Sequence, residues 1–99
     1  MRQERRAAVA VVRVDFQVPG ARSLKDKRSV VKSFLQRARD RFGMAACESG
    51  YRDDPTRASV TLAAAAAQGE AARESLRRAV AFLEETYGVE VFLAEEELF

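Results

Sequence analysis

The sequence predicts an α+β domain in which an antiparallel sheet carries two helices on one face, in the order β-α-β-β-α-β. Three observations lead there. Two long stretches space their apolar residues about 100° apart and each stops at a glycine; four other stretches alternate or favour strand; and turn residues separate them. At 99 residues, the chain is the length of one domain with one modest core.

Residues 7–18 open the pattern. Val12, Val14, Phe16 and Val18 fall on one side, Arg13, Asp15 and Gln17 on the other, which is the signature of a half-buried strand. Pro19-Gly20 ends it, because proline cannot donate to a ladder and glycine tolerates the turn. Ser23 then reads as a helix N-cap, with Asp26 three residues on, where a carboxylate meets the positive helix end. Leu24, Val31, Phe34, Leu35, Ala38 and Phe42 form one stripe, and Gly43 suits the left-handed residue that stops the helix. Residues 44–49 form a short second strand and residues 50–56 a turn. The segment 57–67 is contested: five consecutive alanines favour helix, whereas Ser59-Val60-Thr61-Leu62 favours strand. It is read as a strand to about Ala66, with a turn at Gln68-Gly69. Residues 70–87 form a second amphipathic helix on Ala72, Leu76, Ala79, Val80, Leu83 and Tyr87. Residues 89–94 form the last strand, followed by a short acidic end. This order is the split βαβ of the ferredoxin-like fold, with both helices on one face. It covers residues 7–99, residues 1–6 being read as a disordered basic tail. The expected core holds Val12, Val14, Phe16, Val18, Val31, Phe34, Leu35, Leu62, Leu76 and Leu83.

Composition removes whole classes of chemistry. The chain has no His, no Trp and no Asn, and one cysteine, Cys47. Without histidine, the Ser-His-Asp, Cys-His and His-metal arrangements are excluded. One cysteine permits neither an internal disulfide nor a cysteine-based zinc site. The sequence therefore predicts no catalytic residues, no metal and no cofactor. No apolar run reaches about 18 residues and the charged start lacks the features of a secretory signal, so the expected location is the cytoplasm, with no membrane partner. Arginine outnumbers lysine 14 to 3, which together with the lack of Asn resembles thermophile composition. The net charge of +2 hides an asymmetry: residues 1–49 hold 12 Lys/Arg against 5 Asp/Glu, residues 50–99 hold 5 against 10. Folding either keeps this separation as a basic and an acidic face or interleaves and blurs it.

Candidate binding residues cluster at the first helix. Lys25, Arg28, Lys32 and Arg39 lie within roughly 60° of one another on one flank of the apolar stripe, a ridge of the kind that neutralises phosphates. Arg22 and Ser23 precede the helix, where free N–H groups and the dipole attract anions. Lys27 falls close to the apolar stripe, where its stem packs and its head snorkels or meets a ligand. Glu48 and Asp53 flank the turn, and ion pairing with Arg52 or Arg57 is the simpler reading beside a metal site. Arg13, Asp15, Gln17, Ser59, Thr61 and Ala63 are expected on the open sheet face. None is a stacking aromatic, so RNA contact is expected through the helix rather than the sheet.

The run from Val14 to Arg28 resembles the YlxP-like family of small bacterial proteins of undetermined biochemical role. Its specific part is Ser23-Leu24-Lys25-Asp26-Lys27-Arg28. The likeness continues at Arg41-Phe42, Glu48, Asp53, Arg57 and Ala58, and more weakly over the second helix. Pro55 departs from it, standing where the family usually has a large aromatic, and residues 63–67 are blander than is typical. The resemblance implies a ferredoxin-like fold and a bacterial cytoplasmic protein, and its genomic setting among translation genes hints at RNA. The expected function is thus a non-enzymatic nucleic-acid-binding protein contacting structured or ribosomal RNA through Arg22, Ser23, Lys25, Lys27, Arg28, Lys32 and Arg39. The alternative is a homodimeric adaptor associating through its sheet. A remoter one is an acylphosphatase-like hydrolase, since acylphosphatases hold an anion at the same junction of the same fold; they also orient water with an asparagine, which this chain lacks.

Overall fold

The computed structural model describes residues 7–99; the basic tail expected at residues 1–6 lies outside them. The elements are β1 (Ala8–Gln17), α1 (Leu24–Phe42), β2 (Ala45–Gly50), β3 (Arg57–Ala66), α2 (Gly69–Tyr87) and β4 (Glu90–Leu98). The four strands form one sheet in the order β2-β3-β1-β4, each adjacent pair antiparallel. This is the ferredoxin-like α+β arrangement. Ala10, Val12, Val14, Phe16, Val60 and Leu62 point from the sheet into one core with Val31, Phe34 and Ala38 of α1 and Leu76, Ala79 and Leu83 of α2. Burying a side chain such as Phe34 or Leu83 contributes roughly 1.5–3 kcal/mol. Leu35 differs from the expected core residues in being only half-buried, because it lines a surface groove.

Local signals set the boundaries. The Ser23 hydroxyl accepts from the Asp26 N–H at 3.1 Å, capping α1. Both helices end at left-handed glycines, Gly43 at φ 63° and Gly88 at φ 64°. The alanine run is a strand because β3 pairs with β1 along its whole length, Ala8 opposite Ala66 through Gln17 opposite Arg57. Tertiary pairing overrides alanine's helix preference here. The last strand is longer than the expected 89–94: β4 runs to Leu98, with Glu95, Glu96 and Glu97 paired to β1. Because β4 is an edge strand, its side chains face water along most of their length, and the acids meet no burial cost. Charges on an edge also discourage pairing with other chains.

Folding preserves the charge asymmetry. The α1 segment holds seven Lys/Arg against two Asp and lies over the β2 side of the sheet, whereas β4, with four Glu and no cation, forms the opposite edge beside α2.

Candidate nucleic-acid interface

Arg22, Lys25, Arg28, Lys32 and Arg39 are exposed. Among the described residues, none of them forms an ion pair with a carboxylate. Arg28, Lys32 and Arg39 line a groove of about 300 Å³ between α1 and β2, with Val31 and Leu35 as its apolar wall and Glu48 from β2 opposite. Arg39 also anchors the edge strand, its Nη2 donating to the Ala46 carbonyl at 2.6 Å. These five are the exposed cations of the predicted set; Ser23 is exposed as well.

The structure reassigns the other two. Lys27 is fully buried. Its Nζ donates to the carbonyls of Tyr51 at 2.7 Å and Arg52 at 3.3 Å, and stands 3.7 Å from Oε2 of Glu48. It neither snorkels to water nor meets an external anion; it holds the β2–β3 turn against α1. Ser23 is occupied by its capping bond. Beside it, the Asp26 carboxylate accepts from the Arg22 N–H at 3.0 Å, so the anion that the helix N-terminus attracts is already supplied from within the chain.

The acidic turn also differs from expectation. Glu48 pairs with Lys27 rather than with Arg52 or Arg57, and its Oε2 has no hydrogen-bond partner among the described residues. Arg52 instead donates to the Glu48 backbone carbonyl at 3.1 Å. Arg57 pairs with Asp54 at 2.8 Å. The backbone N–H groups of Thr56 and Arg57, then the Arg57 guanidinium, hold the Asp54 carboxyl well below the usual carboxylate range. Asp53 is exposed. Among the described residues no group of three His, Cys, Asp or Glu side chains converges as a metal site.

The open sheet face carries aromatics that strand alternation does not reveal. Tyr51 follows β2 in the left-handed region at φ 55°, with its ring centroid 6.3 Å from that of Phe92 on β4. Since β3 and β1 lie between those strands, the Tyr51 and Phe92 side chains lean toward each other over the middle of the sheet. Its ring carries the Arg57 guanidinium 4.8 Å from the centroid. Asp15 and Ser59, expected on an open face, are accordingly buried. Burial pushes the Asp15 carboxyl up, but hydrogen bonds from Arg13 and Ser59 outweigh it and leave the group below its ordinary value. Phe92 sits at a bulge, where the register with β1 shifts between Asp15 and Phe16. The sequence signal was Val91-Phe92-Leu93, three consecutive apolar residues that no strict alternation accommodates. Arg13 and Arg57 on this face are both committed to aspartates, so it offers a polyanion far less than α1 does.

A family described as "Protein of unknown function (DUF503)" matches residues 9–96. The chain is 33% identical over 79 residues to "Uncharacterized protein YlxP" of Bacillus subtilis (strain 168), covering 80% of this chain and 86% of that protein. Among solved structures it is similar to the de novo designed protein Foldit4, at a TM-score of 0.51 and 11% identity over 94% of this chain and 96% of the other; that likeness is one of fold. No helix among the described residues is long and apolar enough to cross a membrane.

Proposed function

The chain belongs to the DUF503 family, and from its geometry we propose that it binds structured RNA, ribosomal RNA in particular, through the basic flank of α1. The observation that carries this reading is the set of five exposed cations, Arg22, Lys25, Arg28, Lys32 and Arg39, with no carboxylate partner among the described residues. Arg13, Arg57 and Arg77 are each paired with an acid. Among the described residues Arg37, Arg41, Arg52, Arg73 and Arg78 are free of carboxylates as well, but only Lys25, Arg28, Lys32 and Arg39, with Arg22 just before them, line this flank of α1. Unpaired positive side chains, four on one rigid helix and Arg22 just before it, release phosphate counterions without first breaking internal ion pairs. The groove beside them admits a backbone turn or an unstacked nucleotide against Val31 and Leu35. Recognition is led by shape and charge, as is usual for structured RNA. The role is binding rather than catalysis: the groove presents cations and one carboxylate, Glu48, but no nucleophile paired with a base.

The test is a matched pair of charge reversals. Arg28→Glu with Lys32→Glu, both exposed, should abolish binding to a folded ribosomal RNA fragment while circular dichroism stays unchanged. Arg77→Glu with Arg78→Glu on α2 changes net charge equally and should weaken binding only slightly. Equal losses from the two pairs would mean diffuse attraction and would refute the ridge.

A further inference from the structure

The helix-free face of the sheet has an unusual division. Apart from Arg57 at the end of β3, the outward positions of β2 and β3 are small or short: Ala45, Cys47, Ser49, Ser59, Thr61, Ala63 and Ala65. The outward side of β1 and β4 is larger, with Val9, Val11, Arg13, Phe92 and Leu93. Of the six exposed large hydrophobics, five belong to this face: Val9, Tyr51, Phe92, Leu93 and Phe99. Val9 and Phe99 lie at one end of the face and Tyr51, Phe92 and Leu93 at the other, joined through Val11, Ala63, Ala45 and Cys47 past the Arg13 and Glu95 row. So much exposed apolar surface on one face marks an interaction surface.

We propose that this face is the interface of a homodimer, two sheets packed face to face about a two-fold axis running along the strands. Such an axis lays β1 over the partner's β3 and β4 over the partner's β2. Large then meets small. By the strand registers, Val9 faces the partner's Ala65, Val11 the partner's Ala63, and Arg13 the partner's Thr61. Phe92 and Leu93 reach the partner's Tyr51 end of β2. Glu95 and Glu97 come over the partner's Cys47 and Ala45, and the two Arg13 side chains that meet beside the axis are each neutralised by Asp15 of their own copy. Aligned sheets pack about 10 Å apart, crossing at roughly 30°. Four strands about 4.8 Å apart and about 30 Å long give a face of roughly 600 Å², near the ~800 Å² per partner of stable complexes. A second copy fits better than RNA does, because Arg13 and Arg57 are neutralised by Asp15 and Asp54 and β4 adds acids. The dimer is independent of the RNA reading and leaves α1 of each copy on the outside.

Sedimentation equilibrium of the full chain tests it, together with the alkylation rate of Cys47, which is exposed in the single chain. The expected result is a species of twice 11.0 kDa with Cys47 protected. Ala63→Arg and, separately, Ala65→Arg change only the outward side of β3, and circular dichroism checks that each remains folded. Each should give monomer and restore rapid alkylation. Wild-type monomer at high concentration would overturn the proposal. So would a dimer that both folded variants leave intact, or one in which Cys47 reacts as fast as in the unfolded chain.

Discussion

Replacing Lys27 by methionine should destabilise the protein by about 3 kcal/mol. Methionine keeps most of the stem's packing but removes the ammonium. The Arg52 carbonyl then loses its donor, the Tyr51 carbonyl keeps only the Asp54 N–H, and Glu48 is left with its Oε2 buried and uncompensated. Breaking a buried ion pair from one side costs about 3–5 kcal/mol. The lower end applies because the Glu48 side chain is 20% exposed. For a domain of this size, about 3 kcal/mol corresponds to a fall in Tm of roughly 12–24 °C, measurable by circular dichroism, with a matching fall in the urea midpoint. Adding Glu48→Leu to Lys27→Met removes the stranded carboxylate and should recover about 1–2 kcal/mol, since apolar replacements of buried ion pairs are often tolerated. A single variant within about 1 kcal/mol of wild type, or a double variant no more stable than the single, would refute the assignment of Lys27 as the clamp of the turn.

Two further substitutions separate structural from binding roles. Ser23→Ala should cost about 1 kcal/mol through loss of the N-cap and leave RNA affinity unchanged; a folded variant with lost RNA affinity would return Ser23 to the interface. Asp54→Asn should lower Tm at neutral pH through loss of the charge-assisted bonds to Thr56 and Arg57. Because the folded-state pKa of Asp54 is depressed, its contribution is present above the unfolded carboxylate value near 4 and lost as pH falls toward the folded one. The Tm difference between Asp54→Asn and wild type should therefore shrink as pH drops below about 4; a difference independent of pH would contradict the charge argument.

How far the sequence reveals this molecule depends on the range of the interactions involved. Ser23, Gly43 and Gly88 act within a turn of their own helices, so their roles are legible from local pattern. The strand at 57–66 is legible only because Val60 and Leu62 lead into the alanines; its confirmation comes from pairing with β1. The extent of β4 is not legible, because a triplet of glutamates reads as solvent-bound and nothing local says that β1 is long enough to pair it. The ridge is legible from helical spacing, as angle alone sets which side chains share a flank. Lys27 is ambiguous by the same measure: angle puts its Cβ near the core, while its ammonium is placed by Tyr51 and Arg52, 24 and 25 residues away. The open face is misread for a related reason. Tyr51 belongs to a turn by sequence, and only its left-handed backbone and the strand order bring its ring over the sheet face toward Phe92.

The salt dependence of RNA binding tests the central claim most directly. With four or five phosphate contacts from Arg22, Lys25, Arg28, Lys32 and Arg39, log affinity for a folded ribosomal RNA fragment should fall with log salt at a slope of roughly −3 to −4.5. Single Lys25→Ala and Lys32→Ala substitutions should each reduce that slope in magnitude by roughly 0.7–0.9, one phosphate's worth. Binding whose slope is near zero, or unchanged by both substitutions, would contradict recognition through the α1 ridge.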